Sequence, residues 1–245
     1  MPKTTDDSTI VEFEYESQKI QIEGYHKDDL IFNKIKRSKS FYELKLLEKA
    51  RQYNLGGVYI DIGANIGNHA IFFNKFCPAS KVYCFEIEKS IFEILKRNME
   101  RNCAENSFDL SNVGISDESG FVDLSQVDKN NCGITKIVNI DGTQSMVDAL
   151  DNLLKGTENI SLIKIDVEGF ELQVIKGATK ILINQSPIIF VELQSEQDFS
   201  AFNEFISLFG YSTDKTNYAG TPTYLFEKIH QYCLELNNPL SRWLE

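Results

Sequence analysis

The stretch VYIDIGANIGNHAIFF, residues 58–73, contains the pattern that decides the fold. Apolar residues run without alternation up to Asp61, glycines follow at Gly63 and Gly67, and a helix-period segment starts at Asn68. A strand that ends in a glycine-containing loop and leads into a helix is typical of the ligand-binding edge of an α/β sheet, because the first helical N–H groups point at the ligand. The stretch therefore predicts a buried strand, a nucleotide-binding loop and a helix.

The spacing of the glycines in this loop narrows the choice of nucleotide ligand. Gly63, Asn65 and Gly67 give G-x-N-x-G, which differs from the G-x-G-x-x-G dinucleotide fingerprint, and the sequence contains no G-x-x-x-x-G-K-[ST] phosphate loop. These absences argue against NAD and ATP. Glu86 follows the next predicted strand, where a carboxylate accepts hydrogen bonds from two ribose hydroxyls. The alternative role for Glu86 is a structural acid at a helix N-terminus, which the helix dipole favours.

Working outward from this loop, apolar runs of strand length alternate with helix-period segments. Because the runs are continuous, we expect strands that are covered on both faces in a mainly parallel, doubly wound sheet. The predicted strands are residues 58–62, 81–85, 108–113, 160–165 and 187–191, and the predicted helices are residues 68–76, 90–103, 145–154, 170–183 and 199–209. An extra strand pair is predicted near residues 120–124 and 134–140, and residues 224–229 predict an antiparallel strand at the sheet edge.

We expect residues 1–55 to form an N-terminal extension and residues 56–245 to form one α/β domain. Between residues 10 and 22, apolar and polar residues alternate, which predicts a half-exposed hairpin. An amphipathic helix is predicted from Ser40, with Ser40 and Glu43 as a capping box and Gly56-Gly57 as its end.

A second group of ionisable residues follows the predicted strand 160–165. Lys164, Asp166 and Glu168 stand at its carboxyl end and before Gly169, so they share a sheet rim with the first loop. Asp166 and Glu168 could jointly abstract a proton, hold a divalent ion, or cap the following helix.

Two further side chains are predicted near this rim. Glu192 ends the strand PIIFVEL, and His69 lies in the first turn of the helix after the glycine loop. A neutral imidazole there could act as a base or a hydrogen-bond donor, although a lone histidine is more often structural.

The composition restricts the classes of partner that we expect this protein to bind. With 36 acidic and 25 basic residues, the formal net charge of -11 would repel nucleic acid and anionic membranes at long range. The five cysteines form no C-x-x-C pair, which disfavours a disulfide framework or a zinc site. The sequence has neither a signal-peptide pattern nor an apolar run long enough to span a bilayer. We therefore expect a cytoplasmic protein with no membrane insertion, no nucleic-acid partner and no metal.

Five motifs in order resemble the FkbM family of S-adenosylmethionine-dependent methyltransferases. They are IDIGANIGNHA (60–70), CFEIEKS (84–90), NVGISDESG (112–120), IKIDVEGFELQVIKGA (163–178) and PIIFVEL (187–193). The resemblance implies a Rossmann-like class I methyltransferase fold, S-adenosylmethionine as cofactor, and methyl transfer to a hydroxyl of a sugar, glycan or secondary metabolite. The sequence departs from the family at Ile87, where proline is common, and at Met146-Val147-Asp148, where Leu-Asp is usual.

The same resemblance assigns roles to individual residues. It implies cofactor contacts from Asp61, Gly63, Asn65 and Gly67, a ribose contact from Glu86, and an adenine contact from Gly114, Ser116 and Asp117 in the stretch 114–117. Asp166 and Glu168 match its D-x-E-G motif. An alcohol is a poor nucleophile at neutral pH, so Asp166, Glu168 or His69 is expected to take its proton.

The extension is expected to cover the acceptor side of the cleft or to form the contact of a homodimer. Two alternatives belong to other functional classes. One is an NAD-dependent Rossmann oxidoreductase, which NAD binding would reveal. The other is a non-catalytic nucleotide-binding module, which would turn over no S-adenosylmethionine with any acceptor.

Overall fold

A seven-stranded sheet forms the centre of the computed structural model, which describes residues 10–26, 28–123 and 144–229. The strands are β1 (Ile10–Tyr15), β2 (Gln18–Glu23), β3 (Gly57–Ile62), β4 (Ala79–Phe85), β5 (Phe108–Ser111), β6 (Gly114–Ser116), β7 (Gly120–Asp123), β8 (Gln144–Ala149), β9 (Ile160–Ile165), β10 (Ile188–Glu192), β11 (Tyr211–Ser212) and β12 (Thr223–Lys228). The helices are α1 (Leu30–Ser38), α2 (Leu44–Gln52), α3 (Asn68–Phe76), α4 (Lys89–Asn102), α5 (Leu150–Leu153), α6 (Glu171–Lys176), α7 (Thr179–Asn184) and α8 (Glu196–Ser207).

The order of the central strands is β11-β12-β10-β9-β3-β4-β5. Neighbouring strands from β10 to β5 pair in parallel, whereas β12 runs antiparallel to β10. The chain continues from β3 towards β4 and β5, but from β9 towards β10 on the other side. β3 and β9 therefore flank the point where the strand order reverses, and the carboxyl ends of these strands form a crevice suited to a ligand.

Both faces of this sheet are covered, as the continuous apolar strands predict. One hydrophobic cluster joins β1, β2 and α1 to α4 to the sheet, and a second joins α5 to α8. Neighbouring residues of β3 point to opposite sides, since Tyr59 belongs to the first cluster and Ile60 to the second. The predicted doubly wound α/β architecture is confirmed.

The structure corrects two local predictions about strands. The final strand is antiparallel as predicted, but it is not the edge, because β11 pairs outside it. Residues 145–149 form β8 instead of the start of a helix. Met146 is 45% exposed whereas Val147 is 5% exposed, and this period-2 pattern suits a strand. β7 pairs with β8, while the predicted partner 134–140 lies outside the described residues.

The predicted helix 170–183 is divided into α6 and α7 at Gly177. A Cβ atom on Gly177 would lie 2.0 Å from the carbonyl oxygen of Ser116. The chain therefore passes against β6 at this position, which accepts no side chain.

The N-terminal hairpin is confirmed, with a tight turn at Glu16 and Ser17, whose φ angles are 46° and 62°. This is the left-handed conformation that two-residue hairpin turns of the favoured type require. The predicted capping box is wrong, because α2 begins at Leu44 and its N-cap Glu43 makes no side-chain cap bond. The helix also ends at Gln52, before Gly56. α1 was not predicted from the sequence.

The extension packs tightly onto the rest of the chain. Phe41 makes edge-to-face ring contacts with Phe72 and Phe76 of α3, at 5.3 and 5.8 Å between ring centroids. The division at residue 55 stays a prediction, but residues on both sides of it share one hydrophobic cluster. Within the described ranges, every helix is too short or too polar to cross a membrane.

Candidate active site

A cleft of about 320 Å³ opens at the carboxyl ends of the central strands. Its walls come from the loop after β3 with the start of α3, from the end of β4 and residues 113–115, from the rim after β9 and β10 with Thr221, and from α1 with the segment before α2. The cleft thus lies at the reversal of strand order, where the topology predicts a ligand.

Glu86 fastens the loop that follows β3. Its Oε2 accepts a hydrogen bond from the backbone N–H of Asn65 at 2.9 Å, and its Oε1 accepts one from the N–H of Glu88 at 2.9 Å. Burial raises the pKa of this carboxyl to about 7, against the opposing effect of these two hydrogen bonds. Glu86 lines the cleft, so a buried carboxyl faces the ligand space.

Packing and backbone conformation explain why both positions in the loop are glycine. Gly63 has a φ of +72°, and a Cβ there would lie 1.8 Å from the carbonyl oxygen of Asp166. Gly67 has a φ of +90° and forms the N-cap of α3, where a Cβ would approach Leu95 to 3.0 Å. Gly63 lines the cleft, and the close contact between the β3 and β9 loops already excludes a side chain there.

Lys164 is paired both with the buried Asp61 and with Asp166 at the rim of the sheet. Its Nζ lies 3.3 Å from Asp61 Oδ1 and 3.4 Å from Asp166 Oδ2, and it donates to the carbonyl oxygen of Gly63 at 3.1 Å. Burial lowers the pKa of Lys164, but the charges of the surrounding carboxylates outweigh burial and hold it above its usual range. Asp61 is 0% exposed and does not line the cleft, but it is paired with Lys164, which does.

The rim after β9 and β10 carries three carboxyl groups. The side chain of Asp166 is 28% exposed, and Glu192 is 8% exposed at the end of the neighbouring strand. Glu168 accepts a hydrogen bond from the Gln194 side chain. The predicted capping alternative for Glu168 is not supported, because the N-cap of α6 is Phe170.

His69 is paired with an acid from the extension. Its Nε2 lies 3.1 Å from Glu43 Oε2, and the two side chains are 8% and 5% exposed. Burial has the largest single effect on the pKa of Glu43 and raises it. The contact with His69, the charge of Lys164 and a hydrogen bond from Tyr42 together outweigh burial, so the net shift is downward. The sequence pattern marked Glu43 as a helix cap, whereas its contact with His69 depends on the tertiary fold.

Asn68 holds the extension next to this pair. Its side-chain oxygen accepts from the N–H of Tyr42 at 2.9 Å, and its side-chain nitrogen donates to the carbonyl oxygen of Tyr42 at 3.0 Å. These two hydrogen bonds hold Tyr42 next to α3, and both Tyr42 and Glu43 line the cleft.

The predicted site residues divide into two groups. Those that line the cleft are Gly63, Asn65, His69, Glu86, Gly114, Asp166 and Glu168. Asp61, Gly67, Ser116 and Asp117 do not line it. Gly114 is joined there by the apolar side chains of Ile87, Val113 and Ile115.

Several lining residues were not predicted as site residues. They include Lys34, Tyr42, Thr221 and Glu192, of which only Glu192 stood at a predicted strand end. Among the described residues, no three histidine, cysteine or acidic side chains are grouped in a way that could hold a metal ion.

Comparisons with known proteins agree on one family. Residues 61–232 match the model of the methyltransferase FkbM domain. The hexuronic acid methyltransferase AglP of Haloferax volcanii is 30% identical over 177 residues, which cover 70% of this chain and 69% of the relative. The methyltransferase sdnD of Sordaria araneosa is 24% identical over 152 residues, covering 48% of this chain and 59% of the relative.

A solved structure shares the fold. The methyltransferase FkbM from Methylobacillus flagellatus KT superposes with a TM-score of 0.52 at 17% identity. The match covers 69% of this chain and 42% of that chain. The chain thus spans less than two thirds of the fungal relative and of the Methylobacillus protein.

Proposed function

The chain belongs to the FkbM methyltransferase family, and from this premise we propose that it transfers a methyl group from S-adenosylmethionine to a hydroxyl of a sugar, glycan or secondary metabolite. One observation carries the proposal. At the reversal of strand order, the buried carboxyl of Glu86 and its loop share a cleft with Asp166, Glu192 and the His69–Glu43 pair.

The loop side of the cleft fits S-adenosylmethionine. Glu86 offers a carboxylate for the ribose hydroxyls, and the apolar side chains of Ile87, Val113 and Ile115 suit the flat face of an adenine. The surplus of carboxylates over accessible cations suits a ligand that carries a sulfonium and an ammonium charge. Bound there, the cofactor would supply a methyl carbon that the sulfonium has already activated.

The chain's own residues have two tasks in this reaction. The first is to align the acceptor oxygen with the methyl carbon, since correct placement supplies much of the acceleration in such a displacement. The second is to accept the hydroxyl proton. Asp166 is oriented for this region by its ion pair with Lys164, and His69 by its contact with Glu43.

The acceptor side is proposed to lie under the extension. Tyr42, Glu43 and Lys34 belong to the extension and line the cleft. Lys34 Nζ lies 4.7 Å from the centre of the Tyr42 ring. A polar wall with an aromatic face suits a sugar, and AglP is by its name a methyltransferase of hexuronic acid.

Two measurements test the proposal. Calorimetric titration should detect binding of S-adenosylmethionine, and a screen with labelled methyl donor should find transfer to hydroxyl compounds. The screen contains uronic acids, neutral hexoses and phenolic alcohols. Binding without transfer to any acceptor would favour the non-catalytic module, and binding of NAD in place of S-adenosylmethionine would favour the oxidoreductase.

A further inference from the structure

Glu192 occupies a central place in the cleft, yet no motif assigned a role to it. It is the last residue of β10, where Val191 pairs with Ile165 of β9. Glu192 is therefore the strand neighbour of Asp166, about 5 Å away in the direction of the backbone hydrogen bonds. Its side chain is 8% exposed and lines the cleft.

Carboxylates surround Glu192 on several sides. Asp166 and Glu168 face it from the chain after β9, and Glu43 faces it from the extension. Tyr42 lies close enough for its own pKa to be raised by the charge of Glu192, in addition to the larger effect of burial. The Thr221 hydroxyl faces Glu192 from the loop before β12.

These neighbours supply no compensating positive charge at contact distance. In the part of the chain that the structure describes, the ion pairs of Lys164 are with Asp61 and Asp166, and that of His69 is with Glu43. The Thr221 hydroxyl is buried next to Glu192, and its contact lowers the pKa of Glu192 against the larger effect of burial. Glu192 and Thr221 thus place an acceptor and a hydroxyl together in the cleft wall.

We propose that Glu192 is the general base that takes the proton of the acceptor hydroxyl, while the adjacent Asp166, held in place by Lys164, orients that hydroxyl. This proposal rests on the proposed function. Asp166 has its Oδ2 3.4 Å from Lys164 Nζ, so one of its two carboxylate oxygens is already engaged. His69 has its Nε2 engaged by Glu43.

The step balances as a displacement. The acceptor oxygen forms a bond to the methyl carbon as the carbon–sulfur bond breaks, and the electron pair of that bond stays on sulfur. The products are the methyl ether and S-adenosylhomocysteine. The hydroxyl proton moves to a carboxylate oxygen of Glu192 and leaves to solvent when the product departs.

The environment of Glu192 matches this task. Burial, followed by the charge of Asp166, raises the pKa of Glu192 to about 8. A base works best when its pKa lies near the working pH, because it is then strong and still available in its ionised form. Since only ionised Glu192 accepts the proton, kcat/KM should rise with pH through about 8.

Three variants test the proposal on an acceptor found in the screen. Glu192→Gln keeps the shape and should lower kcat by about 10²–10⁴-fold and remove the rise with pH. Glu192→Asp restores a carboxylate and should recover part of the rate together with the rise. Glu196→Gln makes the same change at an exposed position on α8 and should leave the profile intact.

A readout independent of turnover accompanies the kinetics. Infrared difference spectroscopy should show a protonated carboxyl band that titrates near pH 8 and is missing in Glu192→Gln. Calorimetry should find unchanged affinity for S-adenosylmethionine, and circular dichroism should confirm that each variant is folded.

Three results would overturn the proposal. They are a Glu192→Gln protein with the rate and pH profile of the unmodified protein, a pH rise that disappears in His69→Gln but not in Glu192→Gln, and a carboxyl band that Glu192→Gln leaves in place. If the unmodified protein transfers no methyl group to any acceptor, the proposed function fails first and this role fails with it.

Discussion

At the scale of single residues, Glu86 as the proposed ribose ligand should make binding of S-adenosylmethionine depend on pH. Only its ionised form accepts hydrogen bonds from both ribose hydroxyls, and burial raises its pKa to about 7. Affinity for S-adenosylmethionine should therefore fall as the pH is lowered from 8 to 6. Glu86→Gln should lose at least about tenfold in affinity at pH 8, because charge-assisted hydrogen bonds contribute roughly 1.5–3 kcal/mol each.

Calorimetric titration at pH 6, 7 and 8 measures both effects. Glu93→Gln is the control, since Glu93 is exposed on α4 and away from the cleft. A folded Glu86→Gln protein with undiminished affinity would remove Glu86 from the cofactor site.

A comparison of Gly63 with Gly156 separates the cost of a side-chain clash from the cost of a left-handed backbone conformation. Gly63→Ala would place a Cβ 1.8 Å from the Asp166 carbonyl oxygen at a φ of +72°. Gly156 has a similar φ of +84°, with nothing within 4 Å of its Cβ position. Gly156→Ala should lose roughly 1–2 kcal/mol of unfolding free energy through backbone strain, and Gly63→Ala should lose clearly more. Urea denaturation measures both, and equal losses would show that the Asp166 contact imposes no constraint.

At the scale of elements, the extension is held to α3 by Asn68. Asn68→Ala should lower the unfolding free energy by roughly 1–3 kcal/mol, because it leaves the Tyr42 backbone groups without their partners. Since Tyr42 and Glu43 line the side of the cleft proposed for the acceptor, KM for the acceptor should rise more than Kd for S-adenosylmethionine.

The matched control lies on the same helix. Asn74 also bridges from α3, but it donates to Ser107 and not to the extension. Asn74→Ala should therefore lose stability without the selective change in acceptor KM. A selective rise in the cofactor Kd of Asn68→Ala would contradict the placement of the acceptor under the extension.

The elements also show where sequence reasoning succeeded. β3, β9 and β10 were predicted to within a residue at each end, because continuous apolar runs mark buried strands directly. Asp166 and Glu86 could be placed on one rim, since parallel strands end at the same edge of a sheet. Their side chains line one cleft.

Other features depend on contacts that no local pattern carries. Ser40 and Glu43 satisfy the spacing of a capping box, but Glu43 is held by His69, which is distant in sequence. Residues 145–149 fit a short apolar helix about as well as a strand, and pairing with β6 and β7 decides between them. Lys34 and Thr221 reach the cleft from α1 and from the loop before β12, so only the tertiary fold identifies them.

At the scale of the whole molecule, the buried acids make an unusual pH dependence of stability. The raised pKa values of Glu86 and Glu192, about 7 and about 8, mean that the folded state binds protons more tightly than the unfolded state. Stability should therefore fall as the pH rises from about 5 to about 8. Carboxyl groups with lowered pKa values, such as Glu23 and Glu43, lose their contribution to stability only at more acidic pH. They do not change the slope between pH 5 and pH 8.

Urea denaturation of the ligand-free protein between pH 5 and pH 8 measures this slope. A pKa difference of one unit corresponds to about 1.4 kcal/mol, so the two acids together should contribute a few kcal/mol. The double variant Glu86→Gln, Glu192→Gln should flatten the slope. A double variant with the same slope as the unmodified protein would show that neither acid is protonated on folding.

A crystal structure with bound S-adenosylhomocysteine tests the central claim most directly. We expect that both ribose hydroxyls bond to Glu86, that the adenine lies beside Ile87 and Val113, and that the sulfur faces the side of the cleft that holds Asp166 and Glu192. A nucleoside bound away from Glu86, or a sulfur turned away from the Asp166 rim, would contradict it.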